Sequence, residues 1–496
     1  MNFWQMSDGI RLHHHEPHHH DGYHGHSERG AAWLDPSLNS AIDTGDNSAG
    51  AGDGGYGSFF GAEMHAPVAI FNPLDAGRAG IQSKADAHQS NMVHLDQHAV
   101  QMAGMGGNGG NDNTAAGGNV SALYSGSGLG NGWLDSIMNQ SGANQAGNGG
   151  DGYFYGGIIH ASLVVYEPIN IAVAIGYGSS AHAEQTNNVS FDQSAVQIAG
   201  VGGNGGNGNT ASGGNVGSSS SGADVFATGG NSAGNGGDGH FFGSLVDAPV
   251  VIYHPINVAM AGAGGTAEAT QSNTVEIDQS AIQIAGVGGN GGNGNAASGG
   301  NVSMLGTTSG SSNGGIDSEL IHTGGSQAGN GGDGYSYGGL VHASFALYDP
   351  VNIAVAGYNS SAHAYQANNV HLDQSSFQMA GVGGSGGHGN VAAGGNVFSG
   401  FGGGTDAIAT GANGAGNGGS GHFSGSIGDV SVAIYAPINI AIAGPNSAAD
   451  ADQINNVLFD QSAVQIAGIG GHGGHGNLAL GGDVAMHLLS DLHLIG

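Results

Sequence analysis

The sequence predicts an all-β repeat protein: a parallel β-solenoid or β-helix-like array with glycine-rich, polyproline-II-like extended segments. Three observations predict this fold class. A motif around Asp-Gln recurs five times, glycine supplies 104 of the 496 residues, and helical periodicity is absent outside the C-terminal MHLLSDLHL. One repeat of a few short strands cannot bury its own apolar face, whereas stacked repeats can. Tandem glycine-rich β-sandwiches are the alternative architecture.

A histidine-rich leader comes first, and we expect residues 1–32 to be disordered. Neutral imidazoles at this density bind Zn²⁺, Ni²⁺ or Cu²⁺ loosely, so the leader is a candidate metal-binding segment. The alternative is a disordered leader that binds no metal. The candidate metal ligands are His13, His14, His15, His18, His19, His20, His24 and His26.

The array begins at Trp33, Leu34 and Asp35, because the same tripeptide returns at residues 133–135. It stops near residue 483, before another such segment would begin. Residues 484–496 are unlike the repeats, and we expect them to form an atypical cap or a secretion signal. These boundaries predict five repeats, at residues 33–132, 133–222, 223–314, 315–404 and 405–483, of which the last is incomplete.

The Asp-Gln motif sets the length of one repeat. A representative copy reads NVSFDQSAVQIAGVGG from Asn188. Successive copies lie 96, 86, 95 and 87 residues apart, so long and short repeats alternate. The unit of duplication is therefore a pair of repeats. The aspartates of the five copies are Asp96, Asp192, Asp278, Asp373 and Asp460.

Each repeat contains segments with the composition of strands. Residues 158–166 and 169–174 are apolar and β-branched, with a Glu-Pro bend between them, and both are predicted to be strands. Residues 188–199 alternate between apolar and polar side chains with one slip, which is typical of a half-buried strand. Residues 179–188 are small and polar, and they fit either a strand or a loop.

The glycine-rich runs, such as GVGGNGGNGNTASGGN at residues 200–215, lack large apolar side chains. In isolation such a run is a flexible linker. Its recurrence in every repeat favours packed extended segments, in which the missing side chains allow close backbone approach. Both interpretations remain open from the sequence.

Several polar residues recur once per repeat. Five equivalent aspartates indicate a structural ladder rather than one active site. The asparagines after Pro-Ile or Pro-Val fit a ladder of stacked amides along the axis, and equally a turn after proline. These asparagines are Asn170, Asn257, Asn352 and Asn439.

The charge excludes some classes of function. The net charge is −32, and only four residues are Lys or Arg, none of them after Lys84. Such a surface repels phosphate backbones, so we expect no nucleic-acid partner. No apolar run reaches the length of a membrane span. We expect no required cofactor, and weak binding of Ca²⁺ or other divalent cations to the acidic surface.

The sequence contains no motif of a catalytic site, and we do not expect an enzyme. The nucleophile elbow, the P-loop, the zinc-protease helix and the dinucleotide fingerprint are all missing. The GNGGDG runs suggest calcium-binding repeats, but the second carboxylate position of that pattern holds Phe154 in one copy.

The GGNGGNGN and AGNGGDG runs between residues 50 and 482 resemble the repeats of Gly- and Asn-rich bacterial surface proteins, including type I-secreted, fibre-forming adhesins. The resemblance implies an extracellular or cell-surface location. The N-terminal residues MNFWQMSDGIRLHHHEPHHH lack the charged region and the apolar core of a cleaved signal peptide, so we expect secretion by another route. It implies no ligand residues.

The sequence therefore predicts a structural protein that assembles head-to-tail with copies of itself into filaments, a matrix or a surface appendage. Trp33, Leu34 and Asp35 are the expected assembly residues. The alternative is a monomeric adhesin that binds glycans or another surface, including a host or environmental one, with Ca²⁺ as a candidate stabilising ion.

Overall fold

The computed structural model describes residues 41–43, 51–116, 120–122, 137–141, 143–218, 224–304, 320–399, 407–481 and 484–486. The histidine-rich leader with its eight candidate ligands, the segment Trp33, Leu34 and Asp35, and all but three residues of the expected C-terminal cap lie outside them. Within the described residues the regular structure is entirely β-strand, and the chain winds five times around one axis. Each turn of the chain is called a coil below.

The first two coils contain seventeen strands. Coil 1 has β1 (Ala41–Asp43), β2 (Gly57–His65), β3 (Val68–Phe71), β4 (Leu74–Ala79), β5 (Lys84–Asp96), β6 (Ala99–Met105), β7 (Thr114–Ala116) and β8 (Val120–Ala122). Coil 2 has β9 (Ile137–Ser141), β10 (Asn144–Ala146), β11 (Gly152–His160), β12 (Leu163–Tyr166), β13 (Ile169–Ala174), β14 (Ser180–Asp192), β15 (Ala195–Val201), β16 (Thr210–Ser212) and β17 (Val216–Ser218).

The remaining coils repeat the plan of coil 2. Coil 3 has β18 (Asp224–Thr228), β19 (Asn231–Ala233), β20 (Gly239–Asp247), β21 (Val250–Tyr253), β22 (Ile256–Ala261), β23 (Thr266–Asp278), β24 (Ala281–Val287), β25 (Ala296–Ser298) and β26 (Val302–Met304). Coil 4 has β27 (Leu320–Thr323), β28 (Ser326–Ala328), β29 (Gly334–His342), β30 (Phe345–Tyr348), β31 (Val351–Ala356), β32 (Ser361–Asp373), β33 (Ser376–Val382), β34 (Val391–Ala393) and β35 (Val397–Ser399). Coil 5 has β36 (Ala407–Thr410), β37 (Gly414–Ala415), β38 (Gly421–Asp429), β39 (Val432–Tyr435), β40 (Ile438–Ala443), β41 (Ala448–Asp460), β42 (Ala463–Ile469), β43 (Leu478–Leu480) and β44 (Val484–Met486).

Equivalent strands of successive coils pair in parallel, and each coil adds one strand to each sheet, except that coil 1 adds none to the four-stranded sheet β10-β19-β28-β37. The order β2-β11-β20-β29-β38 is typical of the sheets formed by the described residues. Equivalent residues of the motif face each other, so Asp192 pairs with Asp96 on one side and with Asp278 on the other. The parallel β-solenoid is therefore confirmed. Tandem β-sandwiches, which are built from antiparallel sheets, are wrong.

Each coil is a long, flattened hairpin with two legs. In coil 2 the outgoing leg runs from β9 to β13, the chain turns at residues 175–179, and the return leg runs from β14 to β17. At about 3.3 Å per residue, the outgoing leg spans on the order of 100 Å. Five coils at about 4.8 Å each rise only about 24 Å. The result is a two-layered slab that is much wider than it is tall.

The core between the two legs changes along the width of the slab. Near the turn, the apolar contacts between β13 and the first half of β14 are made by alanines. Next, Tyr166 of β12 packs against Phe191 of β14, with ring centroids 6.1 Å apart. Further along, Phe154 and Ile158 of β11 face Ala199 of β15. Beyond the glycine-rich segments, β10 meets β16 through alanines again.

Two predicted strands are each interrupted. Residues 158–166 form β11 and β12 with a break at Ala161-Ser162, and residues 188–199 are broken at Gln193-Ser194. At the second break Asp192 Oδ1 accepts the Ser194 N–H at 3.0 Å, and this local turn explains the slip in the alternation. The small polar residues 180–188 belong to the long strand β14.

The glycine-rich segments between β15 and β16 are extended, with hydrogen bonds that repeat every three residues. Gly202 donates its N–H to the next coil at 2.8 Å, and Gly203 donates to the facing leg at 2.8 Å. Asn204 donates its N–H to an asparagine side chain of the previous coil at 2.9 Å. Residues 205–207 repeat this pattern. Three residues per turn without internal hydrogen bonds is the polyproline-II arrangement.

Facing glycine segments are joined by a zigzag of backbone hydrogen bonds. Gly203 donates to Gly150 O, Gly237 to Gly203 O, and Gly289 to Gly237 O, each at 2.8 Å. The zigzag alternates between the two legs and climbs from coil to coil. The glycines are therefore part of the packed structure rather than linkers.

The alternation of long and short repeats arises where one coil passes into the next. Residues 123–136 and 305–319 join the last strand of one coil to the first strand of the following coil, and they are long. The equivalent segments 219–223 and 400–406 are short. Stacked strands keep nearly constant lengths, whereas a connection at the edge of the slab can vary. None of the described segments forms a helix long and apolar enough to cross a membrane.

Candidate assembly surface and its polar ladders

The four predicted asparagines form a hydrogen-bonded ladder along the axis. Asn170 Nδ2 donates to Asn257 Oδ1 at 2.9 Å, and the bonds continue to Asn352 at 2.9 Å and to Asn439 at 2.8 Å. The same Nδ2 groups also donate to carbonyls of the facing leg, for example from Asn170 to Glu184 O at 2.8 Å. Each asparagine therefore joins neighbouring coils and both legs of the core.

The five predicted aspartates are in register, but their hydrogen bonds stay within their own coils. Asp278 Oδ1 accepts the Ser280 N–H at 2.9 Å, and Asp373 Oδ1 accepts the Ser375 N–H at 2.9 Å. The other members make the same local bond. Asp96, Asp192 and Asp460 bond the N–H groups of His98, Ser194 and Ser462. A carboxylate cannot donate to its stacked neighbour, so the aspartates hold a turn and the expected inter-coil ladder is wrong for them.

The ladder residues that the sequence analysis missed are mainly glutamines. Gln193 Nε2 donates to Gln97 Oε1 at 3.1 Å, one residue after the aspartates. Two further glutamine columns and one asparagine column behave alike, and recurrence once per repeat was the available signal. These columns are Gln89, Gln185, Gln271, Gln366 and Gln453; Gln101, Gln197, Gln283, Gln378 and Gln465; and Asn91, Asn187, Asn273, Asn368 and Asn455.

Carboxylates of the GNGGDG runs serve as acceptors for backbone N–H groups. Asp151 Oδ1 accepts the Asp238 N–H at 2.8 Å, and Asp238 Oδ1 accepts the Asp333 N–H at 2.7 Å. This arrangement stacks three carboxylates above one another. Burial raises the pKa of Asp238, and the neighbouring carboxylates of Asp151 and Asp333 raise it further.

Replacing Asp238 by asparagine is expected to raise the free energy of unfolding at pH 7 by about 0.5–1 kcal/mol, because a like-charge stack disappears while the Oδ1 acceptor remains. A raised pKa means that the folded chain binds the proton more tightly than the unfolded chain. Stability of the unsubstituted protein therefore rises as pH falls through that pKa. Between pH 7 and pH 4, Asp238 therefore contributes a rise in melting temperature to the unsubstituted protein, and this contribution should be missing in the Asp238→Asn variant. Exposed Glu276→Gln is the control, and an equal response of the two variants would contradict the argument.

A column of alternating histidine and aspartate lies in the core at the end of β11 and its equivalents. His160 Nδ1 lies 2.7 Å from Asp247 Oδ1, and His342 Nδ1 lies 2.8 Å from Asp247 Oδ2. All three side chains are fully buried. His160 Nε2 lies 3.1 Å from the carbonyl oxygen of Gln97. The carboxylate is thus held between two imidazoles from the coils on either side.

The surroundings of the two imidazoles differ. A ring nitrogen that bonds a carbonyl or carboxylate oxygen does so as a donor. Both ring nitrogens of His160 face such oxygens. His342 faces one only through Nδ1, because its buried Nε2 has no partner among the described residues. The Asp247 carboxylate is therefore the shared acceptor of the group.

Comparisons of the chain with protein-family models, with curated proteins and with solved structures found no match.

The axial ends of the solenoid are open in the described part of the chain. Phe191 in coil 2 and Ile277 in coil 3 are each 2% exposed, whereas Phe459, their equivalent in coil 5, is 38% exposed. At the other end Phe71 is 45% exposed, while its equivalent Tyr166 is fully buried. The side chains that form the core of the middle coils therefore form two apolar surfaces at the ends.

Polar ladders also end without partners at coil 1. Among the described residues, the buried Gln101 Nε2 has no partner, since its column donates toward the preceding coil. In the same part of the chain, the buried Asn170 Oδ1 has no donor, because Asp75 occupies the equivalent position of coil 1 and carries no side-chain N–H group. An unmet buried polar atom costs about 1–3 kcal/mol. A further coil below coil 1 could supply an acceptor to Gln101 Nε2, whereas Asn170 Oδ1 faces coil 1 and would gain nothing from it.

A separate cluster, at the break between β5 and β6, could hold a cation. Asp96, His98 and Asp192 offer one ligand atom each, and these atoms lie within 4.8 Å of one another. The hydrogen bond that His98 Nδ1 donates to the Asp96 carboxylate raises the pKa of His98. That pairing already satisfies the cluster.

Proposed function

We propose that this protein is a structural protein of the cell exterior that polymerises head-to-tail, through the axial ends of its solenoid, into filaments, a matrix or a surface appendage. The observation that carries the proposal is the exposure of core side chains at both ends, as at Phe459 and Phe71. The location outside the cell rests on the resemblance to bacterial surface repeat proteins.

The physical argument starts from the strand edges. Coils 1 and 5 present unpaired N–H and C=O groups along nearly every strand of a slab on the order of 100 Å wide. A long flat edge of this kind is a template for pairing with another chain. The two ends bear different residues, so the contact is heterologous and does not close, which produces an open filament.

A charge placed at the contact between the axial ends of two chains is expected to block polymerisation. In Phe459→Lys the ammonium would replace an apolar side chain at the end of the core, where an isolated chain leaves it partly in water. Addition of a second chain would bury that charge, so we expect no filaments by electron microscopy at concentrations where the unsubstituted chain forms them. Inward-pointing charges on edge strands prevent pairing in this way.

The matched control is Leu458→Lys, one residue away on β41. This position points outward and is 61% exposed, so it should leave filaments intact. Fibre diffraction of the filaments should show a repeat of about 4.8 Å along the axis. Isolated particles of the unsubstituted chain that bind a glycan or another surface would contradict polymerisation and favour the adhesin function.

A further inference from the structure

We propose that the joint between two chains is in register, so that coil 5 pairs residue for residue with coil 1 of the next chain, and that a contact between Asp429 and His65 of the next chain pins it. In this contact the Asp429 carboxylate would accept a hydrogen bond from the imidazole of His65, as the Asp247 carboxylate does from His160 and His342 within the chain. The inference rests on the proposed polymerisation and adds to it the register and the residues that recognise the partner, a second copy of this chain.

The first argument is the alternation of the buried column. Coils 2 and 4 carry His160 and His342, whereas coils 3 and 5 carry Asp247 and Asp429. Strict alternation would place an acid in coil 1, but the residue there is His65. An in-register joint therefore brings Asp429 against a histidine, as Asp247 lies against His342 within the chain. An acid at position 65 would instead have placed two carboxylates together.

The second argument is that, among the described residues, Asp429 lacks the histidine contacts that its equivalent Asp247 makes. Asp247 bonds a histidine on each side, through Oδ1 and Oδ2. Asp429 bonds the hydroxyls of Ser376 and Ser431, the latter at 3.0 Å, and no further coil lies beyond it in the described chain. At the opposite end the ring of His65 stacks on His160, with centroids 5.4 Å apart, and its other face is open.

The third argument is the direction of the amide ladders. The asparagine ladder donates toward later coils and ends at the Nδ2 of Asn439. In register, the next residue is Asp75, whose carboxylate can only accept. The ladder of Gln101 donates in the opposite sense, and its buried Nε2 has no partner in the part of the chain that the structure describes. In register, this donor meets Oε1 of Gln465 in the preceding chain.

Two pairs of residues on the outer face would also meet across the joint between two chains, one pair attractive and the other repulsive. Asp452 would lie over His88, which forms an ion pair with Glu184 at 3.1 Å inside the chain. Asp450 would lie over Asp86, whose carboxylate pairs with Lys84 at 2.9 Å. Asp450 would therefore oppose the joint, whereas Asp429 would favour it, so removal of these two charges should affect assembly differently.

Cysteine cross-linking tests the register directly, because the chain contains no cysteine. Ser58 and His422 occupy equivalent, exposed positions on β2 and β38. Paired parallel strands lie about 4.8 Å apart, within the range that a disulfide spans. We expect oxidised filaments of the double variant Ser58→Cys with His422→Cys to yield covalent multimers on denaturing gels.

The matched control combines Ser58→Cys with Ser426→Cys. Ser426 lies four residues further along β38, so in register its Cα is about 13 Å too far along the strand for a disulfide. This pair should stay monomeric on the same gels. In neither double variant can the two cysteines meet within one chain, because four coil steps separate them.

The contact between Asp429 and His65 is tested by the critical concentration for assembly. Asp429→Asn and His65→Asn alter the joint from opposite ends, and each should raise this concentration by about tenfold or more. Asp450→Asn removes the same charge from coil 5 and should leave it unchanged or lower it. Melting temperatures of the three variants verify that each chain is folded.

The outcomes separate the two proposals. Absence of filaments from the unsubstituted chain would overturn polymerisation and the joint together. Filaments in which the 58/426 pair cross-links as well as the 58/422 pair, or in which Asp429→Asn assembles like the unsubstituted chain, would overturn the in-register joint alone.

Discussion

Replacing Asp247 by alanine is expected to lower the free energy of unfolding by about 3–5 kcal/mol. The carboxylate lies between the Nδ1 atoms of His160 and His342 and is fully buried. Its removal leaves the buried Nδ1 atoms of His160 and His342 without their acceptor, and it leaves a cavity. Urea denaturation followed by circular dichroism would measure the loss as a shift of the unfolding midpoint.

Asp278→Ala is the control for this prediction. It removes the same group from the same coil, but Asp278 holds only a local turn, through the Ser280 N–H at 2.9 Å. The expected loss is about 1 kcal/mol. Equal losses of unfolding free energy in the two variants would show that the buried histidine–aspartate column stabilises the fold no more than a local turn does.

Replacing Gly289 by alanine is expected to cost about 3 kcal/mol or more. A Cβ at this position would lie 2.0 Å from Gly203 O and 2.5 Å from its carbonyl carbon. Both are backbone atoms in the zigzag of hydrogen bonds that joins the two legs, so relief requires the coils to separate. The same measurement of unfolding free energy applies, together with loss of the β-sheet signal where the variant fails to fold.

Gly428→Ala tests whether the penalty is steric. No atom lies within 4 Å of a Cβ built at Gly428, and its φ is outside the left-handed region. The substitution should change the free energy of unfolding by less than about 1 kcal/mol. A comparable loss at both positions would mean that glycine flexibility, rather than close approach, explains the abundance of glycine.

Strand positions and the asparagine ladder could be anticipated because each depends on a short local pattern that recurs once per repeat. The alternation after Asn188 indicated a strand, and the return of Asn170 in three later repeats indicated stacking. The glutamine columns had the same signal and were missed, since recurrence alone does not say which side chain points inward. For the aspartates, the same recurrence led to a wrong role, because a carboxylate bonds the nearest N–H group of its own turn.

The sequence by itself determined that this protein is a β-solenoid, because periodic recurrence and alternation of apolar residues are local properties of the chain. The tertiary structure decided which residues of different coils meet. His160, Asp247 and His342 are 87 and 95 residues apart, and their contact depends on the register of every strand and on connections of unequal length. It also decided that the glycine runs form one packed zigzag, because only the facing leg shows that a Cβ there would strike a carbonyl.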